Sequence, residues 1–370
     1  MTSPMPTLWL YGTAAVGKTT AAWRLFAELP EPAGFVDVDQ IGMCYGPPTP
    51  ENSAPEPAGD PGRHRMKARN LNAVAANFRA AGAGCLVVPG VADPTVGPAV
   101  VPMPEVALTA LRLRADPDDL HRRMTRRGRP ADELAELVAY ADQLDRVPGL
   151  GLDTTGLDVP EVVDRVRSLI GAWPTPVARG GTLDRCDRPG RVIWVCGPAA
   201  VGKSQVGWWA YQQLRNELQR TAFIDLDQVG FRRPATAGNH RLKAANMASL
   251  WRTYAGEGAR NLVIVGPATA EAVPLYRAAL PAATFTVCRL RATPATLAER
   301  VRERGHDESP ASGMAGDFLS GASPEALDRI TAAAVRDGES LDRAGVGDFA
   351  LDTDGRTPID LAAEILARAA

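Results

Sequence analysis

The sequence predicts an α/β protein built twice in one chain, each time as a parallel sheet with helices on both faces. Three observations carry the prediction. The apolar run LWLY (8–11) reads as a buried strand; it leads into GTAAVGKT (12–19), a loop with a glycine near each end, and then into a helical pattern. The same order returns at VIWVC (192–196) and GPAAVGKS (197–204). Further blocks recur in register: FVDVDQIG (35–42) as FIDLDQVG (223–230), HRMKARN (64–70) as HRLKAAN (240–246), and CLVVPG (85–90) as NLVIVG (261–266). RLRADPDDLHRRMTRRG (112–128) returns as RLRATPATLAERVRERG (289–305), and LDTTG at 152 as LDTDG at 351. Blocks repeated in one order indicate a duplication.

Each element follows from local chemistry. After the strand and loop, a helix is expected over 18–29, ended by Pro30. A second strand is expected over 34–38. The stretch GPPTPENSAPEPAGDPG (46–62) is too rich in Pro and Gly for a helix or an inner strand, and reads as a solvated loop bordering the cleft. Over 64–80 the residues His64, Lys67, Leu71, Val74 and Phe78 form one stripe, so a helix is expected there. Strands at 85–88 and 107–113, helices at 117–127 and 131–144, a short strand near Leu152 and a last helix at 160–170 complete the first copy. PTPVARGGTLDRCDRPG (174–190) reads as a linker too polar and Gly/Pro-rich to pack, exposed near Arg179. The second copy repeats the order with a short loop before His240 and a longer stretch between Gly305 and Leu351. The expected organisation is therefore two separate α/β domains, 1–173 and 191–370, joined by 174–190. Ligands then lie at the carboxyl ends of the strands.

Composition narrows the classes. The chain has 370 residues and a formal net charge of -2, which weighs against a dedicated nucleic-acid binder. Five cysteines without metal spacing suit a reducing cytosol. The first residues lack a basic leader and no apolar run approaches a membrane span, so a cytoplasmic location is expected. Only four of the 41 basic side chains are lysine, namely Lys18, Lys67, Lys203 and Lys243, and all four fall in repeated blocks. A compact ammonium is not interchangeable with a guanidinium fork, so these positions are candidates for sites where the difference matters.

The two loops answer the problem of holding a polyphosphate. Gly12, Ala14, Ala15, Val16 and Gly17, and in the second copy Gly197, Ala199, Ala200, Val201 and Gly202, allow backbone N–H groups to converge at a helix N-terminus. Lys18 and Lys203 reach the β- and γ-phosphates, Thr19 and Ser204 offer hydroxyls to Mg²⁺, and Thr20 and Gln205 follow at the loop exit. Asp37 and Asp39, like Asp225 and Asp227, are expected to alternate along a strand end and project to one side. Transfer to a hydroxyl requires a group that positions the acceptor and a carboxylate near the metal; capping of the next helix is the plainer reading. His64 with Lys67, and His240 with Lys243, share a helix face turned to the cleft, with Arg65 and Arg241 as further donors for an anionic acceptor group. A salt bridge from the lysines to Asp37 and Asp225 is the alternative.

Together these marks, GxxxxGK[ST], the acid pair after the second strand, RxxxRG and LDTxG, resemble the small P-loop kinases, the group of shikimate, gluconate, nucleoside and nucleoside-monophosphate kinases and chloramphenicol phosphotransferase. The resemblance covers nearly all of both copies. By likeness to shikimate kinase, Asp37 and Asp225 serve magnesium while Asp39 and Asp227 hold the acceptor hydroxyl. Arg123, Arg127, Arg300 and Arg304 correspond to lid arginines that spread charge off the transferring phosphoryl group; surface pairing with Asp118, Asp119, Glu299 and Glu303 is the other reading. Asp153-Thr154 and Asp352-Thr353 resemble the loop edging the adenine, or are simple strand ends. The third strand departs from many P-loop enzymes by ending in Pro89-Gly90 and Val265-Gly266 instead of an acid, the nearest being Asp93, which has no counterpart in the second copy. The resemblance implies an ATP- and Mg²⁺-dependent kinase acting on a small hydroxylated or nucleotide-like acceptor, assembled as a monomeric pseudo-dimer. A polynucleotide or nucleoside-monophosphate kinase is one alternative, and a nucleotide-binding regulator with one or both copies inactive is another.

Overall fold

The computed structural model describes residues 3–48, 59–128, 130–172, 181–217, 219–305 and 315–369. Much of the 46–62 loop, Arg179 and the first part of the long second-copy stretch lie outside the described residues. The first half runs β1 (Met5–Tyr11), α1 (Lys18–Glu28), β2 (Ala33–Phe35), β3 (Cys44–Tyr45), α2 (His64–Ala80), β4 (Cys85–Gly90), β5 (Val106–Arg114), α3 (Pro117–Arg126), α4 (Leu134–Asp145), β6 (Leu150–Asp153) and α5 (Val159–Ile170). The second half runs β7 (Gly190–Cys196), α6 (Lys203–Asn216), β8 (Thr221–Asp225), β9 (Phe231–Arg233), α7 (His240–Gly256), β10 (Asn261–Val265), α8 (Val273–Ala279), β11 (Ala283–Arg291), α9 (Pro294–Gly305), α10 (Pro324–Arg343), β12 (Phe349–Asp352) and α11 (Pro358–Ala369).

The fold is α/β, with two sheets of matching order, β6-β5-β1-β4-β2 and β12-β11-β7-β10-β8, all parallel within these runs. Period-two alternation sorts each central strand. Leu8 and Leu10 face α1 and α5, while Trp9 and Tyr11 face the other way; Ile193 and Val195 oppose Val192, Trp194 and Cys196 in the same manner. The inward faces of both sheets meet one shared core, in which Leu71, Val74 and Phe78 of α2 pack with Met247, Leu250, Trp251 and Tyr254 of α7. All five cysteines are buried and unpaired by disulfides.

The halves are joined more intimately than the repeats announce. Each sheet is completed by an antiparallel edge strand from the other half: β9 lies against β2, pairing Phe35 with Phe231, and β3 lies against β8, pairing Cys44 with Ala222. Both edge strands begin just after the acid-pair segment of their own half. The first exchange is clasped by rings, with Trp23 edge-on to Phe35 and Phe231 at centroid distances of 5.1 and 4.8 Å. The second is clasped by cations, with the guanidiniums of Arg63 and Arg215 5.3 and 5.6 Å from the Tyr45 ring centre.

The segment before β7, expected to be too polar to pack, in fact docks in part against α2 and α7. The Asp184 N–H donates to Asn77 Oδ1 (3.2 Å), its carboxylate accepts from Ser249 (2.6 Å) and Arg252, and Cys186 is buried. A polar segment packs when every buried polar group finds a partner, and here Asn77, Ser249 and Arg252 supply them.

One shared core predicts one cooperative unit. Urea unfolding should show a single transition, and Leu71→Ala should lower the stability of the whole chain by about 2–5 kcal/mol. Two transitions, only one of them shifted, would contradict this.

Candidate functional site

The two loops fold alike. Gly12, Ala15 and Gly17 have φ of 151°, 62° and 95°, and Gly197, Ala200 and Gly202 have 145°, 61° and 101°. An alanine in the left-handed region costs about 1–2 kcal/mol. The strain recurs at the same place in both loops because this alternation gathers successive N–H groups into an anion-binding concavity. Gly12 and Gly197 admit no side chain, since a Cβ would collide with the carbonyl oxygens of Leu113 and Leu290. Helices α1 and α6 have Gly17 and Gly202 at their N-caps, with no side-chain cap and no acid in the first turn. Their N-termini are thus left to an anionic ligand. Lys18 Nζ donates to the Thr13 carbonyl at 2.7 Å and Lys203 Nζ to that of Pro198 at 2.6 Å, so each lysine spans its loop. Ala14 and Thr20 are half-buried beside the loop, as is Ala199, while Ser204 and Gln205 are exposed.

The acid pairs meet those loops. Asp37 Oδ2 accepts from the Thr19 hydroxyl at 3.2 Å, and Asp225 Oδ2 from Ser204 at 3.5 Å. Asp37 Oδ1 caps the Asp39 N–H at 2.8 Å, and Asp225 Oδ1 the Asp227 N–H at 2.9 Å. The pairs are therefore not presented by strand alternation as expected: β2 ends at Phe35 and β8 at Asp225, and the second acid of each pair sits in the following turn. That turn directs the first carboxylate toward the loop hydroxyl and the other one away from it. Asp39 Oδ1 instead takes Lys67 Nζ at 2.9 Å, and Asp227 Oδ1 takes Lys243 Nζ at 2.9 Å. The partners of the helix lysines are thus Asp39 and Asp227, and not Asp37 and Asp225.

Electrostatics separates the members of the first pair. Burial, then repulsion from Asp39, pushes the Asp37 carboxyl from an ordinary 3.8 up to about 7. Burial also works against a charged Asp39, but Lys67 and Lys18 outweigh it and hold its pKa below the usual value. In the second half, burial and Asp227 raise Asp225 to about 6. Burial lowers both Lys18 and Lys203. Asp37 binds its proton more tightly folded than unfolded, so its contribution to stability is full below 3.8 and is lost as pH rises through about 7. With no metal added, Asp37→Asn should remove that loss and raise stability at pH 8 by on the order of 2–4 kcal/mol, read as a rise in melting temperature that vanishes near pH 4. A lower melting temperature at pH 8 would contradict burial as the dominant cause.

The arginines divide. Arg123 Nη1 donates to the Val16 carbonyl (3.1 Å) and Thr154 Oγ1 (3.2 Å), Nη2 to the Thr154 carbonyl (2.7 Å), and Asp119 lies 2.5 Å away. Arg300 repeats this with Val201 (3.0 Å) and Thr353 (2.9 Å). Both brace the glycine loop against the buried threonine after β6 or β12; the four-residue spacing alone does not reveal this. Arg127 and Arg304 lie near enough to Lys18 and Lys203 to depress their pKa values. Arg304 also faces Asp317 at 3.8 Å.

On α2 and α7 the structure brings together some of the expected contacts and parts others. His64 and Lys67 are buried beside Asp39, whereas Arg65 is exposed and donates to the Gly59 carbonyl; Arg241 is exposed as well. Burial, then the neighbouring lysine, lowers the pKa of His64 and of His240. His240 Nδ1 pairs with the Tyr276 hydroxyl at 3.0 Å. Tyr276 and, in the first half, Tyr140, whose hydroxyl donates to the Ala92 carbonyl, carry no signal in the repeats because α4 and α8 are not equivalent elements. Asp93 spends Oδ1 on Thr95 and Val96 in its own turn.

For a divalent cation the donors are hard oxygens, one carboxylate and one hydroxyl per half. Among the described residues no cluster of three or more His, Cys, Asp or Glu could hold a metal. One carboxylate with a hydroxyl fits Mg²⁺, which keeps its remaining positions for phosphate and water.

No protein-family model matches this chain, and no curated protein matches it. Among solved structures it is similar to a sugar kinase from Janibacter sp. HTCC2649, at 19% identity over 45% of this chain and 95% of that one, with a TM-score of 0.33. It is similar to the tunicamycin resistance protein of Deinococcus radiodurans, at 21% identity over 45% and 96% of the two chains, with a TM-score of 0.35. A gluconokinase from Sinorhizobium meliloti 1021 aligns at 21% identity over 50% and 94%, with a TM-score of 0.32. Among the described residues no helix is long and apolar enough to cross a membrane.

Proposed function

We propose that this chain is a cytoplasmic phosphotransferase with two sites, one in residues 1–173 and one in 191–370, each moving the γ-phosphate of ATP to a hydroxyl of a small acceptor. One observation carries the reading. Phosphate loop, loop hydroxyl, acid pair and helix lysine recur in both halves with the same partners at nearly the same distances. A degenerate copy has no reason to keep all four.

The loop N–H groups and Lys18 or Lys203 bind the phosphates and stabilise the charge that spreads over the transferring group. Thr19 with Asp37, and Ser204 with Asp225, would hold Mg²⁺, which supplies neutralisation of phosphate charge when bound. Asp39 and Asp227 accept a hydrogen bond from the acceptor hydroxyl and take its proton as that oxygen bonds to the γ-phosphorus and the bond from phosphorus to the β,γ-bridging oxygen breaks, releasing ADP. Lys67 and Lys243 fix the carboxylate that does so. Despite burial, Lys67 and Lys18 hold the Asp39 pKa low, which makes that carboxylate a weak base and suits a loose transition state in which positioning matters more than proton abstraction. Arg127 and Arg304 stand where they add positive charge near the phosphates.

The test is a panel of sugars, nucleosides, nucleotides and antibiotics incubated with Mg·ATP, read by mass spectrometry. The expected result is an ATP-dependent gain of one phosphate on one acceptor class. Tight nucleotide binding with no acceptor modified, and none of the acid-pair variants altering ATP turnover, would favour a nucleotide-binding regulator instead.

A further inference from the structure

The acid turn of the first site is held in part by the second half. Ile41 lies in the short 3-10 turn that follows Asp39, and its carbonyl accepts two hydrogen bonds. One comes from Asn70 Nδ2 of its own half at 2.5 Å; the other comes from the hydroxyl of Tyr254, on α7, at 2.8 Å. Tyr254 and Ile41 are fully buried. The turn itself is tied to the acid pair, because the Gln40 N–H donates to the Asp37 carbonyl (3.1 Å) and the Gly42 N–H to the Asp39 carbonyl (3.4 Å). Two residues on, the Met43 carbonyl accepts from the Phe223 N–H of β8 at 2.9 Å, so the second half grips this segment at two points.

The second site is built differently at this carbonyl. Its equivalent carbonyl, Val229, accepts from Asn246 Nδ2 at 2.6 Å, as Ile41 does from Asn70. The position of α2 that matches Tyr254 in the repeat is Phe78, which has no hydroxyl. Aligned on HRMKARN and HRLKAAN, the helices thus differ at the residue that decides whether a bond crosses the boundary.

We infer that Tyr254 is a positioning residue for the first site, setting the Asp39 carboxylate through Ile41, and that among the described residues none of the first half does the same for Asp227. The inference rests on the phosphotransferase reading. It makes the first site dependent on the second half in a way the second is not dependent on the first.

The test uses the full chain in two backgrounds, Lys203→Met to read the first site and Lys18→Met to read the second, with Mg·ATP hydrolysis by water as the reaction. In the Lys203→Met background, Tyr254→Phe should lower kcat about fivefold with KM for ATP unchanged, the effect of one buried hydrogen bond on the turn. In the Lys18→Met background it should change nothing. General destabilisation would depress both backgrounds equally and so overturn the inference. Amide exchange gives a second readout: in Tyr254→Phe, residues 40–42 should exchange faster while 228–230 stay protected, and unchanged exchange at 40–42 would overturn it. Asp39→Asn in the Lys203→Met background separates the two levels. If it lowers hydrolysis while Tyr254→Phe does not, the tyrosine inference fails alone; if neither lowers it, the phosphotransferase reading fails and the inference with it.

Discussion

Replacing Asp39 and Asp227 together by asparagine should reduce phosphoryl transfer by about 10²–10⁴-fold and leave nucleotide affinity nearly unchanged. In the proposed reaction these carboxylates hold the acceptor, since Asp37 and Asp225 are engaged with the loop hydroxyls. They are salt-bridged to Lys67 and Lys243, each 2.9 Å away. Asparagine keeps the shape, removes the charge proposed to take the proton, and leaves a buried ammonium without its counter-ion. Each single variant should keep the activity of the other half. Rates measured under saturating ATP check this; equal loss of ATP binding would move Asp39 and Asp227 to the metal.

Lys18→Met with Lys203→Met should weaken binding of Mg·ATP by roughly a hundredfold, about 3 kcal/mol, because each removes the ammonium of its glycine loop. Folding should survive. In the protein each lysine's bond is to a loop carbonyl, at 2.7 Å for Lys18 and 2.6 Å for Lys203, and the loss of that bond is offset because burial works against each ammonium and lowers its pKa. Thermal melting without nucleotide should therefore change little, while the stabilisation that Mg·ATP confers is lost. A large drop in melting temperature without nucleotide would make the lysines scaffold.

Much of this was legible in the sequence where chemistry is local. The stripe from His64 to Phe78 defines α2 to the residue, and glycine and alanine at fixed loop positions give the same left-handed conformations twice. What the sequence does not show is set by distance and by turns. The exchanged strands β3 and β9 have two and three residues, too short for period-two alternation to register. The lysine partners depend on how the acid turn folds: once Asp37 caps the Asp39 N–H, only the second acid faces α2. Arg123 resembles a lid residue by spacing, yet its partners Val16 and Thr154 come from two other parts of the chain. The bond from Tyr254 spans 213 positions, beyond any local signal.

The most direct test of the account, two intact nucleotide sites in one chain, is calorimetric titration of Mg²⁺ with a non-hydrolysable ATP analogue. Two equivalents per chain are expected for the unaltered protein, one for Lys18→Met, one for Lys203→Met, and none for the double variant at concentrations that saturate the unaltered chain. A stoichiometry of one in the unaltered protein, abolished by only one of the two substitutions, would contradict the claim that both halves carry a working site.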